Sequence, residues 1–156
     1  MNKIISLLAI SVLMFTNNSF AQAKAFTDRE LMIYHEWTKE TEALDIDDTM
    51  EDDEEYFRLL DEGYKEIDIK VSQKYGLAPG ELENIINRAN AYELTDWDRQ
   101  LLAVIGQRLP PPYTEEDSNR VFRGIADKYG ISFYRVYFIN NRKFAEIAEK
   151  FVGMWL

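Results

Sequence analysis

A segment that occurs twice constrains this chain more than any other feature. Val71-Ser72-Gln73-Lys74-Tyr75-Gly76-Leu77, followed by Ile85-Ile86-Asn87-Arg88, is answered in register by Ile125-Ala126-Asp127-Lys128-Tyr129-Gly130-Ile131 and Ile139-Asn140-Asn141-Arg142. The physical reading is a helix stopped by a glycine free to turn left-handed, then an apolar residue, then a second helix. Ser132 is placed to cap the second helix of the later copy, whereas Ala78-Pro79 in the earlier copy puts proline at the first helical turn. The pattern predicts a pseudo-duplicated helical hairpin, about 60–89 and 114–143. Two copies are too few for a solenoid, so other helices must cover them. The tyrosines are expected in the hairpin cores and the Asn-Arg pairs near helix ends.

Helix starts are marked by a recurring Thr-x-x-acid. Thr27-Asp28-Arg29-Glu30 is a capping-box pattern, and Thr49 with Asp52, Thr95 with Asp98, and Thr114 with Asp117 repeat it with a shorter acid. Behind these starts apolar residues recur at helical spacing: Phe26, Ile33, Trp37 and Leu44; Trp97, Leu101, Ile105 and Leu109; Val121, Phe122, Ile125 and Tyr129. Pro110-Pro111-Pro112 closes one helix, because consecutive prolines lack N–H donors. The fold class expected is all-α, a small domain of six helices. Residues 133–139, Phe-Tyr-Arg-Val-Tyr-Phe-Ile, are rich in β-favouring types and fit either a helix or a strand.

The N-terminus predicts export. Lys3 precedes an apolar run of 12 residues, 4–15, and a polar stretch leads to Ala21-Gln22-Ala23, a small-x-small site. Such a run, at ~1.5 Å per residue, falls well short of a ~30 Å bilayer core. Residues 1–23 therefore read as a cleaved signal peptide of bacterial type, cut after Ala23 with Ala21 as the other candidate. The mature chain, 24–156, reads as a single periplasmic or secreted domain with no membrane span. It contains no Cys, which removes disulfides, thiolate metal sites and cysteine nucleophiles together.

Loss of Lys3 with the leader takes the net charge from −10 to −11. Residues 27–98 hold 22 Asp/Glu against 7 Lys/Arg, whereas 99–156 hold 6 against 9. Such a chain repels nucleic acid and anionic lipid and attracts a basic partner. Each hairpin resembles the helix-turn-helix pattern of DNA-binding proteins, with Ala126, Gly130, Val136 and Ile139 at its core and turn positions, and Ser72, Gly76, Leu82 and Ile85 nearly so. The resemblance covers about twenty residues per copy and implies a way of packing two helices. The DNA contact it would also imply conflicts with Glu81 and Glu83 on the second helix of the first copy. No nucleic acid partner is expected.

The densest acidic stretch, 45–55, carries the candidate partner-binding residues Asp45, Asp47, Asp48, Glu51, Asp52, Asp53, Glu54 and Glu55. Aligned to a calcium loop from Asp45, it lacks the turn glycine (Met50) and the closing acid (Tyr56). His35 is the only histidine and falls off the apolar stripe, so it is expected on the surface. No serine elbow, phosphate-cradling loop or dinucleotide fingerprint is present, and no catalytic, cofactor or metal residue is assigned. Aromatic and apolar residues at the C-terminus, Phe144, Phe151, Met154, Trp155 and Leu156, suit either core packing or an exposed binding face. The favoured expectation is a non-enzymatic exported interaction protein, an inhibitor or immunity protein being one concrete form. A carboxylate-dependent envelope glycan hydrolase and a divalent-cation-responsive or self-assembling envelope protein stay open as alternatives.

Overall fold

A computed structural model describes residues 26–46 and 53–153, with side chains described as far as residue 143. The described residues hold six α-helices: α1 (Asp28–Glu42), α2 (Asp53–Tyr75), α3 (Glu81–Asn90), α4 (Asp96–Arg108), α5 (Glu115–Tyr129) and α6 (Phe133–Gly153). Among the described residues there is no strand, so the fold is all-α. The ambiguous run at 133–139 is helical. Its residues are shielded on most sides, Arg135, Val136, Phe138 and Ile139 being buried and the other three half-buried. A helix enclosed nearly all round loses the polar face that would reveal its period.

The described residues form two compact units, one of 29–92 and one of 26–28 together with 93 onward. In the first, Ile33 from α1, Ile67 and Val71 from α2, and Leu82 and Ile85 from α3 make one buried cluster. Tyr34, Trp37, Leu44, Tyr75, Leu77 and Ile86 pack around it. Fully burying one such aliphatic side chain contributes about 1.5–3 kcal/mol, so this seam is the main stabiliser of three otherwise polar helices. Pairing of Glu36 with Lys74 and of Glu40 with Lys70 shows that α1 and α2 run antiparallel. Leu44, just past α1, lies against Gly63, where a Cβ would sit 2.7 Å from the leucine Cδ1.

In the second unit α5 and α6 pack together and α4 contacts both. Leu101, Ile105 and Leu109 of the α4 stripe are buried, as are Phe122 and Ile125 of α5. Phe26 lies against Phe138, ring centroids 5.4 Å apart. Phe122, Phe133 and Tyr137 form a second aromatic group between α5 and α6, with centroid distances of 6.3–6.5 Å.

Both Lys-Tyr-Gly segments end their helices in the same way. Gly76 and Gly130 stand at φ 60° and 63°. The next N–H returns to the carbonyl five residues back, Leu77 to Ser72 at 2.9 Å and Ile131 to Ala126 at 3.1 Å. A left-handed glycine followed by this long return bond satisfies carbonyls that a helix end would otherwise leave bare. The helices that follow differ in their starts. Ser132 Oγ accepts from the Arg135 N–H at 3.2 Å, as the sequence predicts. Pro79, however, lies before α3 and not in its first turn: Gly80, at φ 79°, occupies the cap position, and Glu81 reaches back to accept from the Ala78 N–H.

The two tyrosines also differ. Tyr75 packs on its core cluster, but Tyr129 is exposed because α5 ends with that side of its last turn uncovered. Arg88 lies near the end of α3, as expected. Asn141-Arg142 lies in the interior of α6, since that helix continues to Gly153. The leader 1–23, the Thr49–Asp52 cap and the side chains of the C-terminal aromatic residues lie outside the described residues. Among the described residues no helix is long and apolar enough to cross a membrane.

Candidate functional site

The acidic character of 29–92 is built by local pairing. Arg29 donates to the Tyr75 carbonyl at 2.8 Å and lies 3.6 Å from Glu81. Lys70 reaches Glu40 at 2.6 Å and Lys74 reaches Glu36 at 2.5 Å, while Arg88 bonds Glu30. Within α2, Arg58 bonds Glu62 at 2.8 Å and lies 3.6 Å from Glu55, and Lys65 bonds Asp61. Arg29, Arg58, Lys65, Lys70, Lys74 and Arg88 are thus engaged by the unit's own carboxylates. The hydrogen bond to Glu36 holds the Lys74 ammonium above its ordinary pKa, and the bond to Asp61 does the same for Lys65. Exposed pairs of this kind contribute only about 0–1 kcal/mol each to stability. Their electrostatic consequence is larger: the cations are compensated internally, and the excess carboxylates set the unit's field.

Of the eight acidic residues singled out in the sequence, four are described. Asp45 is exposed after α1, and Asp53, Glu54 and Glu55 are exposed in the first turn of α2. There they face the positive end of the helix dipole, which is a structural reason for their type. Asp47, Asp48, Glu51 and Asp52 lie outside the described residues. No group of three or more His, Asp or Glu suited to hold a metal ion occurs among the described residues. His35 is half-buried, with Nδ1 shielded from solvent, and so is only partly at the surface where the sequence places it. Its neighbour Trp37 lies against Tyr64 (centroids 6.3 Å apart) and donates from Nε1 to Asp68 at 2.8 Å.

Two features escape the sequence. One is an exposed apolar row at the start of α2, where Phe57 is 64% exposed between carboxylates on either side. The other lies in the second unit. Asp98 is fully buried, and its Oδ2 accepts from the Thr95 N–H and hydroxyl, both at 2.9 Å, completing the capping box of α4. Its Oδ1 meets Arg135 Nη2 of α6 at 3.2 Å, an ion pair with both side chains out of solvent. Arg135 also lies over the Phe138 ring, and Arg142 is buried on the same helix. By contrast Asp117 makes the same box at the start of α5 in the open, pairing with Arg120 at 2.5 Å. The Thr114 N–H and hydroxyl, then Arg120, hold the Asp117 carboxyl below its ordinary range. In sequence the two Thr-x-x-Asp boxes are indistinguishable, and only packing separates a surface cap from a buried clasp.

Searches against protein-family models, curated proteins and solved structures return no match for this chain.

Proposed function

We propose that the chain is a non-catalytic exported binding protein whose acidic three-helix unit docks a basic protein. An inhibitor or immunity protein directed at a cationic envelope-acting toxin or muramidase is the concrete form we favour. The observation that carries this reading is the internal engagement of the unit's cations beside carboxylates such as Asp45 and Asp53 that are exposed to solvent. A rigid acidic face steers a basic partner from a distance and needs no reactive group to block a cationic cleft.

The test is a pull-down of envelope and secreted proteins with residues 24–156 at ~50 and ~300 mM salt, which spans the range where exposed charge becomes screened. A basic protein captured at the lower salt and released at the higher supports the reading. Neutralising the eight acids of 45–55 to Asn/Gln should abolish that capture. Capture that survives neutralisation would refute docking through this stretch.

A further inference from the structure

We propose that the first half of α2 is the seat for a cationic amphipathic helix of the partner, and this rests on the acidic-docking reading above. Residues 57, 60, 64, 67 and 71 are spaced alternately three and four apart and so lie along one face of α2. Ile67 and Val71 are buried in the core cluster, Tyr64 is 38% exposed and Phe57 64% exposed. The same apolar row thus passes from core to solvent. The cause is helix length. α2 has 23 residues and the antiparallel α1 only 15, and the chain beyond α1 meets α2 at Gly63. The turns of α2 before Gly63 therefore extend past α1.

Charge decides the occupant. Glu54, Asp61 and Asp68 recur every seven residues along one edge of this row, the positions that pair with a partner helix across a two-helix seam. A second copy laid antiparallel would oppose acid to acid. A helix with apolar residues at three-four spacing and Lys or Arg beside them would bury Phe57 and Tyr64 and meet the acidic edge. The existing bonds of Asp61 to Lys65 and of Asp68 to Trp37 are exposed and leave each carboxylate an oxygen for a further cation.

The experiment uses residues 24–156 and two labelled Leu/Lys peptides of one composition, an amphipathic one with leucine at three-four spacing and its scrambled isomer. Fluorescence anisotropy at low salt reads the affinities. The amphipathic peptide should bind at least about tenfold more tightly than the scrambled one. Phe57→Ser should remove about that factor, whereas Ile69→Ser, also exposed but on another side of α2, should stay within about twofold. Circular dichroism of both variants should match the parent. Equal binding of the two peptides with Phe57→Ser silent would overturn the seat but leave acidic docking standing. Failure of both peptides to bind would overturn both.

Discussion

Replacing Asp98 by alanine should damage this protein far more than replacing Asp117, although the two residues occupy equivalent positions in their capping boxes. The cap itself contributes about 1 kcal/mol to a helix. At Asp98 the change also strips Arg135 of a carboxylate inside the protein, where the guanidinium side chain is only 7% exposed. Leaving one partner of a buried pair uncompensated costs about 3–5 kcal/mol, a large part of the ~5–15 kcal/mol that holds a domain together. At Asp117 the partner Arg120 is 74% exposed and regains water, so only the cap is lost. Urea unfolding followed by far-ultraviolet circular dichroism measures the difference. With a slope of about 2 kcal/mol per molar, Asp98→Ala should lower the midpoint by about 2 M. If the two units melt separately, only the step belonging to α4–α6 should move. Adding Arg135→Met to Asp98→Ala should recover about 2 kcal/mol or more, because it removes the buried charge whose carboxylate the first change took away. Equal costs for Asp98→Ala and Asp117→Ala, or no recovery in the double variant, would show that the buried pair contributes nothing beyond its cap.

Two further outcomes follow from the helix ends. The Asp117 carboxyl is held below its ordinary range in the folded chain, so its stabilisation is present above the unfolded value and fades as pH falls through the folded one. Melting temperatures of the parent and Asp117→Asn should therefore differ near neutrality, begin to converge as pH falls below about 4, the unfolded range for aspartate, and meet only below the folded value. Gly124 sits inside α5, where an added Cβ would meet no atom within 4 Å, so Gly124→Ala should stabilise by about 0.5–1 kcal/mol. Gly130→Ala, at φ +63°, should instead destabilise by about 1 kcal/mol or more, and thermal melts of the two variants should shift in opposite directions.

Local chemistry was well marked in the sequence. The Thr95 and Thr114 boxes, the glycine stops at 76 and 130, and the stripe Leu101-Ile105-Leu109 all depend on neighbours within a few residues, and each is found in the structure. What could not be read depends on distant partners. Nothing beside Asp98 announces that Arg135 will close on it from another helix. Nothing near Phe57 in the sequence marks it as exposed, and its exposure follows from where α1 ends. His35 lies off the apolar stripe of its own helix yet is half-buried, because burial depends on what packs alongside as well as on helical phase.

The contact between Phe26 and Phe138 bears on the order in which the chain is made. A ribosome delivers residues 29–92 complete, with their own core, before α6 exists. The Phe26–Phe138 contact can then form only after α6 has been made. The three-helix unit is in this sense an insertion in the sequence of the other unit, emerging whole with its own core, while the other unit waits for α6 to be made before Phe26 can meet Phe138.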